Sequence, residues 1–390
     1  MNKKVPFFNY QFFQEEHGQA VSEIMSDVIT RGAFIMQKDL IEFEEKLADF
    51  LGVKYAIGVA NCTDGLAMSL DSVGIGPGDE VIVPAMTHVA TAHAVEYCSA
   101  KPVFVDVDPK SGNIDPDYID GVMTNKTRSI MAVHFLGLPC DMDRINAHAK
   151  EKDVFVIEDA ALAVDAKYGT KKAGALGKVG CFSFYPIKHM TSIEGGMVTT
   201  NDESLARSIR QRKAFGYDHN HQTRKKPGIY DVPVLGYNYR MNEVEAAVGL
   251  CQLEKLDNRL KIRHDNYNAL KNALSEIDEI TVFDPIQGKA QSSYYCLNAI
   301  FPKNGVLDRD AIASELNAKN IGTSVHYPGP VPMMTYYQEK YNYKPGQFPI
   351  AEWIANQTIS LPVAPHVPDG FEIQITAAMK EAIYKTRNLN

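Results

Sequence analysis

Val154-Phe155-Val156-Ile157-Glu158-Asp159 is a run of four apolar residues closed by two carboxylates. A strand this apolar offers water no face, so it belongs in a mostly parallel sheet covered by helices on both sides. Ligands of such open sheets gather beyond the carboxyl ends of the strands. Asp159 therefore falls where a bound group could be met.

Working outward, the same texture recurs. Short β-type runs are read at residues 55–59, 80–84, 102–106, 129–133, 180–184 and 196–200, and helical spacing at 40–50, 63–73, 91–99 and 142–152. The turn Gly74-Ile75-Gly76-Pro77-Gly78-Asp79 separates one helix from the next strand. This alternation predicts an α/β fold. A long helix is expected from 242 to 266, with Ala246, Leu250, Leu253, Leu256 and Leu260 on one stripe that packs into the core. At 390 residues the chain exceeds what one core usually supports. The division is placed inside that helix, giving a large domain at 1–250 and a smaller α+β domain at 251–390, with strands expected at 294–301 and 321–327.

Hydrophobic content of 45% and charged content of 23% fit an ordinary globular protein, and the net charge of -8 argues against a nucleic-acid-binding surface. The start, Met1-Asn2-Lys3-Lys4, carries charge without the apolar run of a signal peptide, and nothing approaches the ~20 apolar residues of a membrane span. A cytoplasmic location is expected, with no membrane partner. Cys62, Cys98, Cys140, Cys181, Cys251 and Cys296 are scattered without a C-x-x-C pair, so reduced thiols are expected and no metal site.

Three segments carry chemistry. A carboxylate at Asp159 can pair with a protonated pyridine nitrogen and make that ring a better electron sink; it can equally cap a following helix. Lys188 follows a short aromatic strand in Phe182-Ser183-Phe184-Tyr185-Pro186-Ile187-Lys188, where a Pro-broken loop restrains it. An imine-forming lysine must be so held, with its basicity lowered. Gly195-Gly196 then permits close backbone approach before the next strand. Asn61-Cys62-Thr63-Asp64-Gly65 joins a strand to a helix, offering free N–H groups for a phosphate or a simple N-cap.

Together these residues resemble the DegT/DnrJ/EryC1/StrS sugar aminotransferases, which have the aspartate aminotransferase (type I) fold. The resemblance runs from Phe34-Ile35 to Pro362 and includes Gly78-Asp79-Glu80-Val81-Ile82-Val83-Pro84, Val133-His134-Phe135-Leu136-Gly137 and Gly236-Tyr237-Asn238-Tyr239-Arg240-Met241-Asn242-Glu243. It implies a seven-stranded-type sheet and pyridoxal 5'-phosphate carried by Lys188. Asp159 would hold the pyridinium nitrogen. Thr63, Asp64 and Ser183 would bind the phosphate, with Asn238 reaching it from the neighbouring subunit of a homodimer. His88 would stack on the cofactor, and Glu194, Tyr237, Arg240 and His326 would contact substrate.

Three residues depart from the family pattern. Cys62 stands for a common glycine, His88 for an aromatic residue, and Leu162 for a polar residue that contacts the cofactor's phenolic oxygen. The implied reaction passes an amino group from L-glutamate to a nucleotide-linked keto-sugar, at C-4 or alternatively C-3. Two other readings are a sugar 3-dehydratase and a non-catalytic sensor or scaffold. The dehydratase would carry histidine in place of the lysine (a one-residue slip to His189), or lysine with a cysteine-bound iron–sulfur cluster, for which the six cysteines show no grouping.

Overall fold

Seven strands form the central sheet: β1 (Tyr55–Val59), β2 (Glu80–Pro84), β3 (Lys101–Val105), β4 (Thr127–Val133), β5 (Phe155–Asp159), β6 (Val179–Ser183) and β7 (Gly196–Thr200). Their order in the computed structural model, which describes residues 3–218, 228–303, 305 and 307–387, is β1-β7-β6-β5-β4-β2-β3. From β3 to β6 every pairing is parallel, while β7 runs antiparallel to both β1 and β6. This is the α/β architecture with the mostly parallel sheet that the apolar runs predict.

Successive side chains of a strand face opposite ways, and here both faces are buried. Val81, Val83, Met131 and Ile157 join one apolar cluster, whereas their neighbours Ile82, Ile130 and Val156 join another. Eight helices frame the site: α1 (Tyr10–Arg31), α2 (Lys38–Leu51), α3 (Cys62–Ser72), α4 (Val89–Tyr97), α5 (Met142–Lys152), α6 (Glu203–Arg212), α7 (Glu243–Leu253) and α8 (Leu256–Leu274). α3, α4 and α6 bury Leu66, Val95 and Ile209 in the first cluster. On the other face α5 buries Ile145 in the second, and α2 and α7 pack Phe43 and Ala246 in a third with Phe182 of β6.

The single long helix expected at 242–266 is two helices, α7 and α8, interrupted at Glu254 and Lys255. α7 starts from a capping box in which Asn242 accepts from the Glu245 N–H and the Glu245 carboxylate accepts from that of Asn242. A further apolar cluster joins α8 to the three-stranded antiparallel sheet of Thr281–Val282, Leu297–Ile300 and Thr358–Leu361, and takes in Val5 from the start of the chain. The strand expected at 321–327 does not form. That segment makes only isolated bridges, Val5 to Ile321 and Ser324 to Ser360. Its backbone leans on the chain start instead: a Cβ on Gly322 would lie 2.5 Å from the Phe7 nitrogen.

Two helical glycines separate packing from backbone effects. A Cβ on Gly249 of α7 would sit 2.6 Å from the buried Phe43 ring, whereas one on Gly18 of α1 meets only the flexible Gln14 side chain at 3.2 Å. Gly249→Ala is expected to destabilise by about 1–3 kcal/mol through overpacking. Gly18→Ala should be neutral or stabilising by up to about 1 kcal/mol. Denaturant midpoints of the two variants check the opposite signs.

Candidate active site

The carboxyl ends of β4, β5 and β6 open into a cavity of about 690 Å³. Asp159 ends β5 inside it, 7% exposed. No helix follows, so the capping alternative does not apply. One carboxylate oxygen accepts from Thr91 Oγ1 of α4 at 2.7 Å, the other from the Ala161 N–H at 3.2 Å. Thr91 in turn meets Thr87 Oγ1 at 2.7 Å. The sequence reading missed this support. Its signal was two threonines one helical turn apart in an apolar stretch, a pattern that needs a buried acceptor.

The preceding residue, Glu158, points the other way and is fully buried. It accepts from the N–H groups of Gly174, Leu176 and Gly177 at 2.7, 2.8 and 2.7 Å and meets His134 Nε2 at 2.9 Å. His134 Nδ1 takes the Cys140 N–H, so Nε2 carries the proton given to Glu158.

Lys188 lines the cavity, its amine 5.9 Å from the centre of the buried Tyr295 ring. Burial draws that amine below the usual lysine range, against the opposing pull of Asp159 and Glu194. The next residue, His189, turns away: it is buried, with Nε2 donating to the Ser293 carbonyl at 2.9 Å. Lysine, not histidine, is therefore the side chain presented at this position. The loop is pinned at both ends, by Phe184 N–H to Gly195 carbonyl at 2.9 Å and Ser192 N–H to Phe184 carbonyl at 3.0 Å.

At the far wall α3 begins with Asn61 as its cap, accepting from the Asp64 N–H at 2.9 Å and donating to the Asp64 carboxylate at 2.8 Å. Asp64 is thus engaged by its own turn, and burial raises its carboxyl. The N–H groups of Cys62 and Thr63 begin the helix without helical partners. Cys62 tolerates its Cβ because the side chain enters the core beside Leu66. The turn is held close to β7: a Cβ on Gly196 would lie 2.5 Å from the Asn61 carbonyl carbon and 2.7 Å from the Cys62 nitrogen. Ser183 and Glu194 also line the cavity.

His88 caps α4 through Nδ1, which accepts the Ala90 N–H at 3.2 Å, and its ring meets Tyr327 edge-on at 5.7 Å. Burial, then the Lys188 charge, lowers its basicity. His326 is buried, bonded through Nδ1 to Ser360 Oγ at 2.8 Å, and burial with Lys188 lowers it to about 3. Leu162 gives the cavity an apolar wall. Tyr327, from the segment 325–330 that the sequence reading sets near the sugar, and Tyr295, not singled out from sequence, complete it.

Three expected residues lie outside this cavity. Tyr237 donates to Asp71 at 3.3 Å and stacks on Tyr239 at 4.7 Å. Arg240 lies over the Phe215 ring at 4.8 Å, and Asn238 is exposed beside Ala214.

A buried carboxylate, a restrained lysine amine and a helix N-terminus suit three parts of one molecule: a ring nitrogen, an aldehyde and a phosphate. On this sheet they define a pyridoxal-phosphate-dependent aminotransferase of the type I fold. The model of the DegT/DnrJ/EryC1/StrS aminotransferase family matches residues 14–380, and the chain belongs to that family. It is 36% identical to the GDP-perosamine synthase of Escherichia coli O157:H7, over 87% of this chain and 89% of that one. It is 33% identical to the UDP-2-acetamido-2-deoxy-3-oxo-D-glucuronate aminotransferase of Pseudomonas aeruginosa, over 90% and 92%. The crystal structure of S. venezuelae DesV in complex with ketimine intermediate matches with a TM-score of 0.90 at 30% identity, over 98% and 99%. The protein is a pyridoxal-phosphate-dependent aminotransferase acting on keto-sugars. No helix of the described residues is long and apolar enough to cross a membrane.

Two predictions follow from this geometry. Gly196→Ala should push the start of α3 off β7 and weaken cofactor retention by roughly tenfold or more, a loss equivalent to one charge-assisted contact; dialysis followed by absorbance checks it. For His326, a folded value near 3 against roughly 6.5 unfolded means the unfolded chain binds the extra proton at low pH. Stability is complete above pH ~6.5 and falls with pH below it. At pH ~5 the loss from this residue is about 2 kcal/mol, which His326→Gln should remove in paired unfolding curves at pH 7 and 5.

Proposed function

We propose that this enzyme moves an amino group from L-glutamate to C-4 of a nucleotide-linked keto-hexose, working as a cytoplasmic homodimer with residues 1–250 as its large domain and 251–390 as its small one. The observation that carries the reading is one cavity holding the Lys188 amine, the Thr91-supported Asp159 and the start of α3. When bound, pyridoxal phosphate supplies an electron sink for the carbon that bears nitrogen. Asp159 would face the ring nitrogen, and Thr91 and the Ala161 N–H hold its carboxylate oriented. Thr63, Ser183 and the first N–H groups of α3 take the phosphate, with Asp64 ordering that turn. His88 covers the ring as a neutral imidazole.

Lys188 would hold the cofactor through its amine nitrogen, and the same amine would serve as the proton carrier at the substrate carbon. Its lowered basicity leaves more neutral amine for both tasks. Glu194 and His326 face the sugar. Asn238 of the partner subunit completes the phosphate site, with the partner's Tyr237 and Arg240 towards substrate. The exposed apolar side chains Ile229, Val232 and Leu235 near this segment support an association surface.

Amination at C-4 is favoured by the higher identity to the perosamine synthase; the 3-oxo-sugar relative makes C-3 the alternative. The histidine form of dehydration is disfavoured because Lys188, and not His189, lines the cavity. The test is incubation with L-glutamate and a panel of nucleotide-linked 4-keto and 3-keto sugars, with NMR of the product. Nitrogen at C-4 is expected; nitrogen at C-3, or an amine-free product, overturns the reading. Lys188→Ala should lose the visible absorption of the bound cofactor and lower turnover by at least about 10²–10⁴-fold.

A further inference from the structure

A second cavity, of about 220 Å³, adjoins the first; it is roofed by residues 7–13 and walled by α7 and α8. Ile187, Lys188 and Tyr295 line both, so the two meet at the lysine. The smaller one holds two guanidinium groups. Arg263 is 5% exposed and donates to the Tyr295 carbonyl at 2.9 Å; it has no ion-pair partner among the described residues. Arg259 donates to the Gln252 side-chain oxygen, and its Nε lies 3.7 Å from the Glu16 carboxylate, beyond hydrogen-bond range.

Four buried polar atoms of these cavity-lining residues have no hydrogen-bond partner among the described residues: Arg259 Nε, Arg263 Nε, Gln252 Nε2 and the Tyr295 hydroxyl. Three can only donate and the fourth can donate, so the wall is short of acceptors. Burial lowers Arg263 to about 10, which leaves it protonated at neutral pH. Spare donors beside spare positive charge suit a planar group with two anionic oxygens.

This chain's own wall of the larger cavity is unsuited to that group, and the partner's Arg240, placed above towards substrate, is left to the sugar. Asp64, Asp159 and Glu194 line that wall, and its one described lysine or arginine is Lys188, while His88 and His326 are held neutral. An α-amino acid donor must place its nitrogen where Lys188 reacts and its carboxylates against cations elsewhere. We infer that the Arg259–Arg263 cavity is the carboxylate subsite of the amino donor. This rests on the aminotransferase reading with L-glutamate as donor.

The test uses the holoenzyme with glutarate, a dicarboxylate without a reactive nitrogen, as calorimetric probe, and follows the two half-reactions separately by absorbance. Arg263→Gln should weaken glutarate binding and raise the KM for L-glutamate by roughly tenfold or more. The half-reaction run backward from the amino sugar should change less than about threefold, and Arg263→Lys should recover part of the loss. If Arg263→Gln does not fold, Arg259→Gln carries the same expectation. Equal loss in both half-reactions, or loss in neither, overturns the inference while leaving the aminotransferase reading intact. Glutarate binding that depends on Arg263 in an enzyme that ignores L-glutamate sinks that donor but supports the carboxylate subsite. Displacement of glutarate by an equal concentration of inorganic pyrophosphate overturns it in favour of a diphosphate site.

Discussion

Two adjacent carboxylates, both out of water at the end of one strand, set the terms for everything around them. A buried charge is stable only with partners on every side. Because strand neighbours face opposite ways, Glu158 and Asp159 must be satisfied by different halves of the molecule. Glu158 gathers the backbone of residues 174–177 and His134 on one face. Asp159 draws the Thr91–Thr87 pair of α4 on the other.

The strands of the central sheet and the helices between them were legible almost to the residue, since each was an apolar run or a helical stripe whose pattern local sequence contains. What failed was governed by distant contacts. Residues 321–327 read as a strand, but Ile321 pairs with Val5 of the chain start and Ser324 with Ser360, two different neighbours that each hold one residue, so no continuous ladder forms. The break at Glu254 and Lys255 carries no glycine or proline to announce it. In the site, Asp159, Lys188, Ser183 and the α3 turn stood out because strand ends and glycines mark them. Thr91 and Tyr295 did not, since a threonine or tyrosine in an apolar segment gives no sign of which buried group it serves. Asn238, Tyr237 and Arg240 sit outside the chain's own cavity, where a single sequence has no means of saying whose site they face.

The departures from the family pattern share one physical character. None of His88, Leu162 and Cys62 brings a charge to the surroundings of Lys188: burial lowers the histidine's basicity, Leu162 is a hydrocarbon wall, and burial raises the Cys62 thiol. Near them the lysine's own basicity falls for the same reason, removal from water. The low dielectric around the amine is therefore built from residue choice as much as from depth.

β7 runs against the grain of the sheet, and its first residue lies level with the last of β6: Ser183 pairs with Gly196. The lysine-bearing segment between them leaves and re-enters the sheet at neighbouring points on the same edge. Such a closed excursion is mechanically insulated. A change of length within it would leave the β6–β7 register intact yet displace Lys188, so the chemistry and not the sheet fixes the length of this loop.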